Sequence, residues 1–351
     1  MSDRVTIQDI ADALGVSRNT VSKAINNTGI LAESTRVKVL QKAKEMGYKQ
    51  FSYVSIKDAV SQPPSPNREI ALLTTSMLGN SHFSSPMLDN FQKEISQMGY
   101  TLTIHLIRQD ELDQMKLPFT FHADRVDGII CLEVFHPEYS TLICDLGIPV
   151  LFVDSPVNTG NFTLKADCLY MDNYTNVHAL VQEMASRGYK DIGFIGEYMH
   201  CQSFFERYMA YRQAMYILGL PCKDEYCLIE NKKSVINPGS MDYQEYLQSH
   251  FQNLKKLPDV FLCANDFVAI DTLQVFKRMG ISVPDDVLLC GFDDSPESKV
   301  ITPSLTTVHI HSRIMGFSAV QLLVSRIKEP SLNYRTMHTE TSLIYRESTK
   351  D

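Results

Sequence analysis

The sequence predicts an α/β protein in which a small helical head is joined to a body of doubly wound parallel sheets. Three observations carry this. Residues 1–48 show helical periodicity and no strand-like run. A proline cluster, Ser61-Gln62-Pro63-Pro64-Ser65-Pro66, then removes backbone donors and fixes an extended path, which marks a boundary. From Arg68 onward, short apolar runs alternate with amphipathic stretches, as a parallel sheet covered on both faces requires.

The head opens with Thr6 and, three residues on, Asp9: a hydroxyl for orphan N–H groups and a carboxylate at the positive end of the helix dipole. Ile7, Ile10, Ala11 and Leu14 fall on one helical face, Gly15 supplies the stop, Val16 plugs the turn and Ser17 caps a second helix. In that second helix Val21, Ala24 and Ile25 form the apolar face. The opposite face carries Arg18, Asn19, Ser22 and Lys23, residue types that bind base edges and phosphates. An ordinary helical hairpin does not require cap, stop, spacing and polar face to agree, so this is a helix-turn-helix. Asn26-Asn27-Thr28-Gly29 is a turn. A third helix from Glu33 to Met46, with Val37, Leu40, Ala43 or Lys44 and Met46 at helical spacing, completes the head, and residues 49–60 have room for one more short helix.

The net charge of −8 is opposite to that of a nucleic-acid binder until it is divided along the chain. Residues 1–58 hold nine Lys/Arg against six Asp/Glu, a net +3 that leaves −11 for the remainder. A basic head on an acidic body suits a DNA module attached to a part that must not bind DNA. The excess of three is small, so useful affinity calls for two heads.

In the body, strand-like runs at 70–74, 102–106, 128–132, 150–153, 192–195, 260–264 and 287–291 alternate with helical stretches at 87–98, 173–187, 204–218, 241–254, 267–279 and 313–327. Two sheets fit into residues 68–351. There is no Walker-type loop, no G-x-G-x-x-G after a strand and no G-x-S-x-G elbow, which weakens enzyme readings. Ligands of open parallel sheets bind beyond the carboxyl ends of strands. That rule selects Asn80-Ser81-His82-Phe83-Ser84, Asp154, Ser203 with Arg207, Asn265-Asp266, and Asp293-Asp294. Arg, Asp and Asn with interspersed aromatics suit a small polyhydroxylated ligand, since carboxylates and amides take hydroxyls and ring faces pack on C–H surfaces. Taken singly, Asp172 or Asp294 could be a helix cap and Arg207 a surface charge; five strand ends converging is harder to explain that way.

No apolar run approaches the ~18 residues of a membrane span, and no signal peptide is expected at the N-terminus. The eight cysteines are scattered, with Cys131, Cys263 and Cys290 inside apolar runs. Neither the Cys222/Cys227 neighbours nor the His309-x-His311 pair has metal-site spacing around it, so no metal and no cofactor is expected. A reducing cytoplasm is the natural compartment.

These stretches resemble the lactose/galactose-repressor (LacI/GalR) family over nearly the whole chain. VTIQDIADALGVSRNTVSKAINN followed by STRVKVLQKAKEMGY is similar to the family's head. GYKDIGFIGE, the Ser203…Arg207 spacing, PDVFLCANDFVAIDTLQVFKRMGISVPDDVLLCGFDD, TPSLTTVHI and the final LIYREST are similar to successive motifs of its body. The resemblance implies a homodimer whose heads each lay a second helix in the major groove of a pseudo-palindromic operator. It implies a two-lobed periplasmic-binding-protein-like body with an effector between its lobes. Arg18, Asn19 and Lys23 fall where the family reads bases, and Thr6, Ser17, Thr20, Ser22 and Asn26 lie along the same DNA-facing surface, where it contacts phosphates or caps helices. Arg207, Asn265, Asp266 and Asp293 match its effector positions, with Ser203, Phe83 and Asp154 beside them.

The chain also departs from the family. The family's hinge runs Pro-Asn, Ala-Arg and then a Leu that wedges into the minor groove, whereas this chain has Gln50-Phe51, Val54-Ser55 and Lys57. A Lys cannot wedge between base pairs as an apolar side chain does. Either Ile56 or Val54 takes over from a shifted helix, or the hinge with Lys57 grips phosphates and bends DNA less. The chain has no Trp, so ring stacking on a sugar falls to Phe83, Phe135, Phe204 or Tyr243. The loop 232–243 has no family match, and Ile310 is apolar where some members place a polar contact.

The expected organisation is a head at 1–48, a hinge and Pro-rich linker at 49–67, and a body at 68–351. One lobe takes about 68–170 and 312–339, the other about 171–311 and 340–351. The expected function is a cytoplasmic, dimeric transcriptional regulator, not an enzyme, that represses carbohydrate-utilisation genes until a sugar-like effector changes the spacing of its hinges. The alternatives are a regulator with a nucleoside or other non-sugar corepressor and, in a different class, a solute-binding protein.

Overall fold

In a computed structural model, residues 5–25, 31–46, 69–76, 83–160, 162–230 and 238–349 are described. The chain forms two compact units, Met1–Pro66 and Asn67–Asp351. Asn26, Val54 and Lys57, the 49–60 helix, the proline cluster and Asn80-Ser81-His82 lie outside the described residues.

In the first unit, α1 (Ile7–Leu14), α2 (Arg18–Ile25) and α3 (Glu33–Glu45) pack around Ile10, Ala11, Val21, Ala24, Ile25, Val39 and Ala43. The expected start is present as a capping box. Asp9 N–H donates to Thr6 Oγ1 at 3.3 Å, and Thr6 N–H donates to Asp9 Oδ2 at 2.7 Å. Gly15 closes α1 at φ 64°, a left-handed conformation that costs glycine nothing. The phase of α3 differs from the sequence expectation. Val39 and Ala43, one helical turn apart, are innermost, whereas Val37 is only half-buried.

The second unit runs β1 (Glu69–Thr74), α4 (Ser84–Gln97), β2 (Thr101–Leu106), α5 (Gln109–Asp113), β3 (Val126–Leu132), α6 (Pro137–Cys144), β4 (Val150–Val153), β5 (Asp167–Met171), α7 (Thr175–Ser186), β6 (Ile192–Ile195) and α8 (Gln202–Ile217). It continues through β7 (Cys227–Leu228), α9 (Met241–Asn253), β8 (Val260–Cys263), α10 (Asp266–Met279), β9 (Leu288–Cys290), α11 (Pro296–Val300), β10 (Thr307–Ile310), α12 (Ser312–Lys328), β11 (Thr336–Thr339) and β12 (Thr341–Ile344).

Two all-parallel sheets result. The first has six strands in the order β11-β5-β4-β3-β1-β2, and the second has four in the order β7-β6-β8-β9. Alternate residues of one strand enter different cores, as the two-residue period of a strand demands. In β1, Ile70 and Leu72 join the main core while Ala71 and Leu73 join a second one; in β8, Val260 and Leu262 separate in the same way from Phe261 and Cys263.

The chain passes between the lobes built on these sheets three times: after β5, after β10 and after β11. β10 pairs antiparallel with β12 and continues the four-stranded sheet through bridges to Cys290 and Asp293, whereas α12 packs on α4 in the first lobe. The passages are tied to one another. Asp172 N–H donates to Thr339 O at 2.8 Å, Thr341 Oγ1 donates to Asp172 O at 3.1 Å, and His311 Nε2 lies 2.9 Å from Ser342 Oγ. Residues just past strand ends of both sheets come together on α8, Asp154 after β4 at 3.1 Å from Ser203 N and Asp293 after β9 at 3.6 Å from Arg207, and this junction of the lobes is the cleft.

Candidate functional site

Two polar surfaces are candidates, one in each unit. In the head, Val21, Ala24 and Ile25 anchor α2 while Arg18 and Asn19 stand exposed, with Ser22 and Lys23 half-buried alongside. Ser17 caps this helix by accepting the Thr20 N–H at 3.0 Å, and the two hydroxyls lie 2.8 Å apart. An N-terminus held this way presents its first turn, with Arg18 and Asn19, as one rigid donor surface.

In the body the centre is Arg207, on α8. Its guanidinium is buried and held from three sides. Nε donates to Asn173 Oδ1 at 2.9 Å, Nη1 donates to Ala264 O at 2.6 Å, and the Phe292 ring lies beneath it at 3.5 Å. Its acidic partner is Asp293, with Oδ1 3.6 Å from Nη1, too long for a full hydrogen bond. Asp293 takes a left-handed φ of 115° just past β9, which turns its side chain into the cleft. Burial raises its carboxyl to about 8, against the opposing charge of Arg207 and with reinforcement from Asp266 and Asp154. A half-satisfied carboxyl beside an immobilised guanidinium is an arrangement that a pair of hydroxyls would complete.

The remaining expected positions divide. Asp154, at φ 61° after β4, accepts the Ser155 N–H at 2.8 Å and, across the lobes, the Ser203 N–H at 3.1 Å. Cys201 supplies no cap to α8, so a carboxylate of the other lobe does so, and Gln202 N–H reaches Ser155 O at 2.9 Å beside it. Burial raises Asp154. Ser203 turns its hydroxyl to Met171 Sδ at 3.2 Å, away from Asp293. Asn265 caps α10 through Val268 N–H at 3.1 Å. Phe83 is half-buried at the start of α4, packed against the main core.

Asp266 differs from its expected place. It is fully buried, and both oxygens are engaged inside its own lobe: one accepts Ser295 N–H at 2.7 Å, the other the Thr307 hydroxyl at 2.6 Å. A Cβ at Gly291 would meet that carboxylate at 2.1 Å. Its work is to hold the loop that presents Asp293. Burial raises it to about 6. Tyr243 lies in the core beneath α9 rather than among the cleft aromatics. Phe135 and Phe204 do meet at the cleft through His200, with ring centroids 5.1 and 5.3 Å from it.

Asp172 is a cap, accepting Tyr174 and Thr175 N–H groups, and Asp294 is tied to Arg346, Lys299 and His309. Ile310 is buried in the main core. Three residues of the site escape sequence reasoning: Asn173, Phe292 and Glu133. Glu133 sits just past β3, takes the Ser76 hydroxyl, and is raised first by burial and further by the nearby charge of Asp154. The strand-end rule that selects Asp154 applies equally to Glu133, which directly follows the apolar run at 128–132.

The model for bacterial regulatory proteins of the lacI family matches residues 6–50, and that for a periplasmic binding protein-like domain matches 181–349. The HTH-type transcriptional repressor PurR of Vibrio parahaemolyticus is 26% identical over 350 residues, covering 98% of each chain. Among solved structures, the transcriptional regulator CelR–cellobiose complex superposes with a TM-score of 0.68 at 21% identity, covering 98% of this chain and 100% of that one. The lac repressor dimer bound to operator and the anti-inducer ONPF gives 0.64 at 19%, with 99% of each chain covered. No described helix is long and apolar enough to cross a membrane. A head of the lacI regulatory-protein type thus precedes a periplasmic binding protein-like body, and the chain is a LacI-like DNA-binding transcriptional regulator.

Proposed function

We propose that this regulator acts as a dimeric repressor whose grip on its operator is set by a neutral, hydroxyl-rich small molecule, a sugar or sugar derivative, bound between the lobes of its body. The supporting observation is the Arg207–Asp293 pair, with one guanidinium fixed by Asn173, Ala264 and Phe292 and one carboxyl left half-satisfied. Glu133 and Asp154 add two further acidic groups nearby, so among the described residues the cleft holds more carboxyls than cations. That balance disfavours phosphorylated ligands and suits hydroxyl donors. Ring contacts among Phe135, His200 and Phe204 supply an apolar wall for sugar C–H faces. The cellobiose in the CelR complex agrees with this class.

In this reading Arg18, Asn19 and Lys23 read bases, and Thr6, Ser17, Thr20 and Ser22 position the backbone. Two heads are needed because each carries a small positive excess, and the second is held at high effective concentration only while the body keeps the half-site spacing.

A thermal-shift series on the full-length protein with neutral sugars, polyols, sugar phosphates and nucleosides tests the effector class. A ligand at one hundred times its Kd adds about 2.7 kcal/mol to the folded state. Stabilisation by a neutral sugar, lost in Arg207→Lys, supports the assignment. Stabilisation confined to nucleosides or sugar phosphates overturns it.

A further inference from the structure

The fixation of Arg207 continues past Asn173 into a chain of polar contacts that the effector reading does not use. Asn173, fully buried at the first passage between lobes, accepts from Arg207 Nε with its carbonyl and donates with its amide to Glu206 Oε2 at 2.8 Å. Glu206 adjoins Arg207 on α8, and its other oxygen accepts Gln202 Nε2 at 3.1 Å. The last member comes from the other lobe. His338, on the edge strand β11, places Nε2 3.5 Å from Glu206 Oε2, and its ring lies against Tyr170 at 5.3 Å with 39% of the side chain open to water. A lobe-bridging imidazole is thus linked through one carboxylate and one amide to the guanidinium at the centre of the cleft.

We propose that His338 is a proton-responsive positioning residue. When its imidazole is charged, it draws the Glu206 carboxylate toward β11, holds the Asn173 amide between carboxylate and guanidinium, and fixes Arg207 in the geometry seen here. When the proton leaves, that tie between the lobes weakens and Arg207 is held less well.

The groups facing the imidazole have the signs this needs. Glu206 on α8 is the nearest, and Asp172 at the end of β5 adds a second negative charge, so both favour the imidazolium. Tyr170 contributes only its ring, and Tyr174 at the head of α7 faces Glu206. Glu206 itself lies below the ordinary carboxylate range: burial opposes this, but the adjacent His338 and the hydrogen bonds from Asn173 and Gln202 outweigh it, so the acceptor is an anion wherever His338 titrates. His338 lies above the ordinary imidazole value because of Glu206, so the charged form persists to higher pH than in a free imidazole.

The proposal rests on Arg207 being an effector group, but its test needs no effector. In the full-length protein, His ring signals and the Arg207 Nε–H signal are followed by NMR from pH 5.5 to 8.5. The expected result is an Arg207 signal that shifts with the same midpoint as His338. In Glu206→Gln, which preserves shape, the His338 midpoint drops. In His338→Gln, the Arg207 signal stops responding to pH through that window. An Arg207 signal that stays still while His338 titrates, or one that titrates unchanged in His338→Gln, overturns the proposal. If the body binds no sugar but the two midpoints coincide, the effector reading fails and the relay stands.

Discussion

The polar face of α2 and the polar floor of the cleft are built in opposite ways. On α2 the apolar residues hold the helix from behind, and Arg18 and Asn19 stand exposed in front. In the cleft, the central cation depends on its surroundings: Arg207 is fixed by the first passage between lobes, by the end of β8 and by a ring after β9. The first surface can change residue by residue, which suits a reader of base sequence. The second has to be kept as a set, which suits a sensor whose state must reach distant segments. Substitutions in the two places therefore separate stability from binding in opposite directions.

The sharpest contrast is expected at Arg207. Arg207→Ala leaves Asn173, Ala264 O and Asp293 with one partner fewer, and breaking a buried pair costs 3–5 kcal/mol. Asp293 can relieve part of this by keeping its proton, so about 3 kcal/mol is expected in denaturant unfolding, together with loss of effector response. A stability within half a kcal/mol of wild type would make the cleft as forgiving as α2.

Asp293 gives the comparison a pH axis. Burial raises its carboxyl from 3.8 to about 8, so between those values the folded protein keeps a proton that the unfolded chain has released. Its contribution therefore falls as pH rises from about 4 to about 8 and is constant above. Asp293→Asn lacks that group, so its stability relative to wild type climbs through the same window and then levels. Asp266, raised to about 6, acts with the same sign but is present in both proteins and cancels. A flat difference curve would mean that Asp293 is solvated and not part of the set. On α2 the outcome reverses: Asn19→Ala or Lys23→Ala should weaken operator binding by about 1–3 kcal/mol in a mobility-shift titration. Unfolding should change by less than about 0.5 kcal/mol.

The same contrast explains which parts were legible in the sequence. Thr6, Gly15 and Ser17 announce the head because each acts within four residues of itself. Seven strands could be read as apolar runs. β5 is less plain, because its apolar Cys168–Met171 follows Asp167, a charge that is answered by Arg326 and Arg335, each 2.6 Å away and more than 150 residues along the chain. Missing β5 hid Asn173, which follows it. β11 was missed because an exposed edge strand with Thr and His carries no apolar run, and with it went His338. Asp154 and Asp266 were selected correctly as strand-end residues, but the strand-end rule cannot say that one caps a helix in the opposite lobe and the other binds Ser295 and Thr307.

The smallest expected effects set one helix cap against another. Asp154→Ala removes the carboxylate from the start of α8, a loss of about 1–2 kcal/mol, and it also removes one of the ties between lobes. Thr6→Ala removes the hydroxyl from the start of α1 at a cost of about 1 kcal/mol, and every bond lost lies within three residues. Amide hydrogen exchange separates the two cases. In Thr6→Ala, protection should fall at Asp9 and across α1, while α8 keeps its wild-type rates. In Asp154→Ala, protection should fall at Ser203 and also at Gln202, whose N–H crosses to Ser155 in the same contact. If the loss in Asp154→Ala stays at Ser203 alone, the start of α8 is held as locally as the start of α1, and the division between a modular head and an interdependent body fails at the contact where it should be strongest.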